Sequence, residues 1–194
     1  MKELLAVRYP KRLKLKDGSE VMVRPMEKED RERLLEFFKG VPEEDRVFLR
    51  DDMTRPEIVE VRIRAFQHDR LIPLLAEAEG RIVADATLHR RPSHWLRHVA
   101  EVHVVVDPEY RRLGLAHNLL YELFDLARLA GIETLLAEMI PEQEAAVMLF
   151  ERLGFRKEAT FSHLVKDLHE RRHDMLIMIR DLTQAKKRAP RWFW

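Results

Sequence analysis

Apolar residues in this chain occur in short runs bounded by turn residues and in longer stretches where they recur every three or four positions. The short runs predict β-strands, and the longer stretches predict amphipathic helices. The predicted strands cover residues 20–25, 71–78, 82–88, 99–106, 132–140, a segment that begins at 155, and 175–179. The predicted helices cover residues 27–39, two segments of 42–69 broken near Arg55 and Pro56, a segment that begins near Gly114, and 141–153. Strands and helices thus follow one another along most of the chain.

The most informative change of pattern lies between residues 104 and 127. The apolar run 104–106 ends before Pro108, because proline lacks the amide hydrogen that a strand ladder requires. The apolar positions that follow have helical spacing and are Leu115, Leu119, Leu120, Leu123 and Ala127. A helix therefore begins near Gly114, with unpaired amide hydrogens and the positive end of its dipole at that point. Since Arg111 and Arg112 flank it, we expect a phosphate or pyrophosphate to bind here.

Composition and charge narrow the classes of protein and partner. The chain has 194 residues, 46% of them hydrophobic, which is the size of one domain with a substantial core. Its 35 basic and 34 acidic residues give a net charge of +1, so no overall field attracts nucleic acid or an anionic membrane. The chain has no cysteine, which excludes disulfides, thiolate metal sites and a cysteine nucleophile. With no signal-peptide pattern and no long apolar run, we expect a soluble cytoplasmic protein without membrane contact.

Several common motifs are excluded by spacing or by neighbouring charges. The six glycines never cluster, so the chain has neither a Walker loop nor a Rossmann glycine motif, and no serine lies in a Gly-x-Ser-x-Gly elbow. The pattern His169-Glu170-x-x-His173 matches a zinc-protease motif, but two arginines lie inside it and an apolar strand follows. We interpret it as a charged hairpin turn. The histidines of loop 89–98 also stand among arginines, which repel a cation, so no metal is expected at either place.

Four segments together resemble the GCN5-related N-acetyltransferase (GNAT) family. The motif Arg111-x-x-Gly114-x-Ala116 is similar to the Arg/Gln-x-x-Gly-x-Gly/Ala pattern with which the family holds the pyrophosphate of acyl-CoA. Leu153-Gly154-Phe155 after the last helix and Arg180-Asp181-Leu182 after the last strand are also similar to the family. Segment 17–30 resembles its N-terminal segment, and is closest to the branch that acetylates protein lysines. The four segments occur in family order along nearly the whole chain.

The resemblance implies a fold in more detail. We expect a single α/β (α+β) domain with a mixed, mostly antiparallel sheet of about six to seven strands, flanked by about four helices. In the family a bulge lets strands four and five splay, and the pantetheine arm of the cofactor fills the gap. We assign residues 1–20 to a leader that forms the first arm of a hairpin, 21–183 to the N-acetyltransferase domain, and 184–194 to a basic, aromatic tail.

The resemblance also implies acetyl-CoA, or another acyl-CoA, as co-substrate, and no metal. The expected cofactor contacts are Val104, Val105, Val106, Arg111, Arg112, Leu113, Gly114, Leu115, Ala116, His117 and Phe150. A protonated amine must lose its proton before it attacks a thioester, so a base is required. The family commonly places a carboxylate early on the fourth strand, which makes Glu101 the expected base and His103 the second candidate. A period of two places both on one side of that strand.

The chain departs from the family pattern on its last helix. Gln143 and Phe150 stand where the family usually has asparagine and tyrosine, and Phe150 has no hydroxyl to protonate the departing thiolate. Tyr110, Tyr121 and His103 are alternative proton donors. The expected function is transfer of an acetyl group from acetyl-CoA to a primary amine by direct attack in a ternary complex. The alternative is an acyl-CoA-binding sensor or regulatory module of the same fold, with weak or no catalysis.

The acceptor and the assembly stay open on sequence alone. A small amine, an antibiotic, a peptide N-terminus and a protein lysine all remain compatible acceptors. The tail 184–194 suits a homodimer contact or nucleic acid, and a locally packed terminus is the default expectation. Nucleic acid is the weaker of the two partners because the chain carries almost no net charge.

Overall fold

The fold is built on one mixed sheet. The computed structural model describes residues 2–47, 49, 51–91 and 93–183, and the predicted tail 184–194 lies outside them. The strands are β1 (Lys11–Lys14), β2 (Glu20–Pro25), β3 (Leu71–Ala78), β4 (Arg81–Arg90), β5 (Val99–Val106), β6 (Thr134–Met139), β7 (Arg156–Lys166) and β8 (Arg172–Asp181). Their order in the sheet is β1-β2-β3-β4-β5-β6-β8-β7, and every neighbouring pair is antiparallel except β5 and β6. The predicted sheet is confirmed, and with eight strands it is larger than expected.

Helices cover both faces of this sheet. In the described residues they are α1 (Lys2–Arg8), α2 (Arg31–Gly40), α3 (Glu43–Arg46), α4 (Pro56–Gln67), α5 (Leu115–Leu129) and α6 (Glu144–Arg152). The prediction missed α1, because seven residues are too few to show a hydrophobic period. Helix α6 begins three residues after the predicted start at Pro141. None of the helices in this part of the chain is long and apolar enough to cross a bilayer.

The core consists of two apolar layers, one on each face of the sheet. On one face, α5 and α6 pack against the central strands, with Leu119, Leu120 and Phe124 fully buried. On the other face, α2 and α4 form a smaller layer around Phe38 and Val59. Residues of β5 alternate between the two layers, since successive side chains of a strand point to opposite faces. The faces of β5 are therefore in different surroundings, one against α5 and one towards α2 and α4.

Strands β5 and β6 separate after a short paired region. They pair only from Val99–Thr134 to Glu101–Leu136, whereas β6 stays paired with β8 along its whole length. Residues 102–106 of β5 therefore pair with none of the described strands on that side, which leaves a wedge-shaped gap between β5 and β6. The predicted splay between the fourth and fifth strands, which are β5 and β6 in the structure, is confirmed. The register between β4 and β5 is continuous over their described pairs, so the bulge expected from the family is not found in that ladder, and the gap arises because β6 follows β8.

The leader is part of the same core. Leu5, Tyr9 and Leu15 are buried in the α5 layer, and β1 pairs with β2. Glu122 of α5 is also buried, and it accepts a hydrogen bond of 3.1 Å from the Tyr9 hydroxyl and contacts the Lys11 ammonium. Burial and the neighbouring Glu122 carboxylate raise the pKa of Tyr9 far above its ordinary value, so its hydroxyl stays a donor. The leader is thus fixed to α5 by polar contacts as well as by apolar packing.

The turn between β7 and β8 contains the motif that resembles a zinc-protease site. His169 and Glu170 lie in the turn and His173 lies in β8, so the three do not share a helical face, and the interpretation as a charged hairpin turn is confirmed. Asp167 organises this turn. It accepts hydrogen bonds from the amides of His169 at 2.8 Å and Arg171 at 3.0 Å, and it contacts the imidazole of His173. Although burial raises the pKa of Asp167, these hydrogen bonds and His173 hold it well below its usual range.

Replacing Asp167 by asparagine is expected to lower the melting temperature by a few degrees at pH 7. A carboxylate whose folded pKa is depressed stabilises the fold above its unfolded pKa of about 4, and that contribution is lost as the pH falls towards the folded value. The difference in melting temperature between the wild type and Asp167→Asn should therefore shrink below about pH 4. Thermal melts from pH 3 to 7 measure it, with Asp174→Asn as a control on β8. A difference independent of pH would contradict this account.

Candidate active site

The turn between β5 and α5 has the backbone geometry of an anion site. Arg112 and Gly114 both have left-handed backbone conformations, with φ of 61° and 86°. Such residues in a turn direct amide hydrogens to one concave side. Gly114 is the N-cap of α5, and its carbonyl accepts the first helical hydrogen bond, from Asn118, at 3.1 Å. The amides of the first turn of α5 cannot bond within the helix, so they are available to an anion. A left-handed arginine is unusual and marks strain at this turn.

Three cationic side chains surround this turn. Arg111 donates from Nε to the carbonyl of Val106 at 3.1 Å and from Nη2 to Asp45 of α3 at 2.7 Å. Arg112, which directly follows the arginine of the motif, has a left-handed backbone in the turn. Lys16 comes from the leader. Its amide donates to the carbonyl of Leu113 at 3.1 Å, and its aliphatic chain passes 3.5 Å from where a Cβ of Gly114 would lie. The sequence prediction missed Lys16, whose only signal was the alternating basic pattern of the leader.

His117 contributes an imidazole without a charge. Burial, with a further effect of the nearby Lys16 ammonium, lowers the pKa of His117 below its ordinary value. The ring is therefore neutral at pH 7, and it packs 4.8 Å from the ring of Tyr121, one turn further along α5. The positive potential at the turn comes from backbone amides, the two arginines and Lys16. His117 is placed to donate or accept a hydrogen bond instead.

The wedge leads from this turn into the sheet. Val104 and Val106 pack on the α5 layer, and Val105 packs on the α2 and α4 layer. In a strand, backbone amides and carbonyls alternate between the two neighbours, so those of 102–106 that point to β6 are paired with no strand in the described part of the chain. The carbonyl of Val106 accepts from Arg111 Nε, and the remaining groups are those that an extended ligand in the gap would meet. The open end of the wedge is at Val106, beside the anion site, and its closed end is at Glu101.

A cluster of titratable side chains occupies the closed end. Glu101 is 2% exposed, and its Oε1 atom lies 2.8 Å from Nε2 of His103. The ring of His103 packs edge to face on His89, whose strand position pairs with Glu101. Glu138 of β6 lies on the same face, and Arg91 contacts both Glu101 and Glu138. The structure thus brings together Glu101 and His103, as the sequence predicted, and adds Glu138 and Arg91, which it did not.

A second polar group continues this face of the sheet. Asp85 and Thr87 of β4 are buried, and Arg62 of α4 lies 2.5 Å from Asp85 and also contacts the Thr87 hydroxyl. Thr87 pairs with His103 across the ladder, so the two groups are adjacent. The sequence held a signal for them, since Asp85, Thr87 and His89 alternate along β4. Without the pairing register, that alternation did not point to Glu101.

The two positions at α6 where the chain departs from the family pattern, Gln143 and Phe150, both make structural contacts. Phe150 is buried in the α5 layer and packs 4.8 Å from the ring of Phe155. Gln143 is the N-cap residue of α6, and its side-chain oxygen accepts a hydrogen bond from the amide of Ile140 at 3.2 Å. Of the alternative proton donors, His103 lies in the cluster at the closed end, whereas Tyr121 packs on His117 at α5.

Comparisons with known proteins agree on one family. The acetyltransferase (GNAT) family model matches residues 31–155. The Escherichia coli (strain K12) [ribosomal protein bS18]-alanine N-acetyltransferase is 39% identical over 75 residues, which are 39% of this chain and 50% of that protein. The chain thus spans about half the length of the curated relatives that it matches first.

Two of the solved structures with this fold are as follows. The ribosomal-protein-alanine N-acetyltransferase from Brucella melitensis has a TM-score of 0.73 and 25% identity, and the match covers 82% of this chain and 98% of that one. The acetyltransferase-like protein yncA from Salmonella typhimurium, solved with its cofactor acetyl-CoA, has a TM-score of 0.73 and 23% identity over 84% of this chain and 95% of that one.

Proposed function

This chain belongs to the acetyltransferase (GNAT) family, and on that premise we propose that it transfers an acetyl group from acetyl-CoA to a primary amine. The observation that carries the proposal is the wedge between β5 and β6, with the anion site at its open end and the carboxylate cluster at its closed end. A long cofactor with a diphosphate at one end and a thioester at the other fits that arrangement.

The residues around the wedge suit acetyl-CoA. We place the diphosphate on the amides of residues 112–117, with Arg111, Arg112 and Lys16 as counter-charges. The pantetheine arm would then lie along 104–106 as an added strand and use the backbone groups that β6 leaves unpaired. Ala116 in place of the commoner glycine is compatible with this role, because the donors are main-chain groups. Phe150, which is buried in the α5 layer, remains a proposed apolar contact of the cofactor.

Glu101 is the proposed base. It takes a proton from the amine, directly or through a water, as the amine nitrogen attacks the thioester carbonyl. Its contact with His103 gives that proton a route onward, and burial keeps the carboxylate away from bulk water. An unpaired amide of β5 beside the gap is placed to stabilise the thioester oxygen as that oxygen gains negative charge. No covalent intermediate with the protein is required.

The missing tyrosine hydroxyl at position 150 affects the last step only. A thiol with a pKa of about 8.5 leaves as a thiolate without full protonation, so an acid accelerates departure but is not essential. His103 is the proposed donor, because it is the alternative that lies in the cluster at the closed end. An enzyme with phenylalanine at position 150 is therefore expected to turn over, but slowly.

We further propose a peptide or protein N-terminus as the acceptor. The Escherichia coli and Brucella melitensis proteins are named for acetylation of alanine in a ribosomal protein. The chemistry supports this choice. An α-amino group has a pKa near 7.8, so deprotonation at pH 7 costs about 1 kcal/mol, against about 5 kcal/mol for a lysine. One buried carboxylate with a histidine is a sufficient base for an α-amine.

Acetyl-CoA is expected to bind the full chain, and free CoA thiol is expected to appear when a peptide that begins with alanine is added. Calorimetry measures binding, and a thiol-reactive dye measures release without background, since the protein has no cysteine. The control peptide has the same sequence with a blocked N-terminus and an internal lysine. Binding without thiol release from any amine would favour the sensor alternative, and no binding of any acyl-CoA would refute both.

A further inference from the structure

One arginine connects the two strands at the point where they separate. Arg91 directly follows β4, and its Nη2 atom lies 3.7 Å from Oε2 of Glu101 on β5 and 3.6 Å from Oε1 of Glu138 on β6. The same nitrogen contacts both carboxylates, so the positive charge of Arg91 lies between them. Glu101 and Glu138 are respectively 3% and 20% exposed at their side chains, which limits screening by water.

The effect of Arg91 on the ionisation of Glu101 and Glu138 depends on the other charges around these two carboxylates. Two carboxylates that share one site raise each other's pKa, because ionisation of the second places two negative charges close together. Among the described residues, this face also carries His103, in contact with Glu101, and His89, which packs on His103. Arg62 of α4 is already bound to Asp85. Arg91 is therefore a permanent charge in contact with both carboxylates.

We propose that Arg91 is a positioning residue that keeps Glu101 and Glu138 ionised together at the closed end of the wedge. For the reaction, its effect is to hold the base deprotonated at the pH at which an amine acceptor is also partly deprotonated. The consequence for the rate rests on the proposed function. The ionisation of the carboxylate pair does not, because it is a property of the protein without substrate.

The test is a carboxylate titration of the full chain without acetyl-CoA. Glutamate side-chain carboxyls are followed by carbon-13 NMR from pH 3 to 8, and the signals are assigned with Glu101→Gln and Glu138→Gln. In Arg91→Gln the apparent pKa values of the pair should rise by about one unit, and in Arg91→Lys by less, because an ammonium keeps the charge. Arg97→Gln is the matched control, since Arg97 is an exposed arginine of the same loop that donates to the carbonyl of His94. Repeating the series in the His103→Gln background separates the titration of the carboxylates from that of the neighbouring imidazole.

The kinetic arm follows kcat/KM against pH with a peptide acceptor. Its acidic limb should move to higher pH in Arg91→Gln by the same amount as the NMR titration, while the KM for acetyl-CoA is unchanged. Unaltered titration of the pair in Arg91→Gln overturns the inference. If that variant does not fold, Arg91→Lys is titrated instead. Apparent pKa values of the pair below those of the wild type, or more than one unit above them, then overturn the inference. A shifted titration in a protein without acetyl transfer supports the role of Arg91 and removes the proposed function. An unshifted titration in an active enzyme removes only Arg91.

Discussion

Replacing Glu101 by glutamine is expected to lower the rate of acetyl transfer at least about tenfold, and by up to about 10⁴-fold if no other group takes over as base. Glutamine has nearly the same shape, so the wedge and the backbone groups along β5 are retained. It cannot accept the proton of the amine. The affinity for acetyl-CoA should not change, because the proposed cofactor contacts lie at the other end of β5 and in the turn. A tenfold loss corresponds to about 1.4 kcal/mol of transition-state stabilisation.

Thiol release at saturating acetyl-CoA and calorimetric affinity are the two measurements for this variant. Glu79→Gln makes the same chemical change at the exposed turn between β3 and β4 and serves as the control. His103→Gln tests the second candidate, and a smaller loss is expected there if His103 only relays the proton. Unchanged turnover in Glu101→Gln would remove Glu101 from the mechanism, and Glu138 on the facing strand would become the next carboxylate to test.

Replacing Gly114 by valine is expected to weaken acetyl-CoA binding at least about tenfold. A β-branched residue in a left-handed conformation costs roughly 1–2 kcal/mol, so the turn relaxes and its amides no longer converge on one point. Space is not the obstacle at the Cβ position, because the nearest atom there is Cε of Lys16 at 3.5 Å. The expected loss of affinity therefore arises from the backbone, and a loss of stability of about 1–2 kcal/mol accompanies it.

Gly131→Val is the matched control for this variant. Gly131 lies just beyond the other end of α5, its φ of 73° is also left-handed, and a Cβ there would meet nothing within 4 Å. The two variants should melt at similar temperatures, whereas only Gly114→Val should bind acetyl-CoA more weakly by calorimetry. Equal affinities in both would mean that the turn does not hold the cofactor.

The pattern along 99–129 predicted more of the site than any other segment. The Val-rich strand, the stop at Pro108 and the helical spacing that follows are local features, and local features are what a hydrophobic period reports. For the same reason the sequence placed Glu101 and His103 on one side of a strand. It could not place Arg91, Glu138 and Lys16 near them, because those contacts depend on which strands are neighbours and on where β5 and β6 part.

The sheet illustrates the same limit. Strands with alternating or apolar runs, such as β4 and β5, were predicted almost to the residue. The pattern of apolar and polar residues could not predict that β8 lies between β6 and β7, because strand pairing is decided by long-range packing and by chain connections. In the leader, the arm that pairs with β2 was predicted, whereas helix α1 was missed, because contacts far along the chain stabilise it, such as that of Arg8 with Glu122.

The leader also bears on how the cofactor turn forms. Tyr9 and Glu122 are 113 positions apart, and Lys16 meets Leu113 across a similar separation. Contacts of such high contact order carry a large entropic cost of loop closure and are slow to form. We therefore expect the turn to reach its final shape only once the start of the chain has returned to α5, so that binding competence is acquired late in folding and cooperatively with the first strand pair.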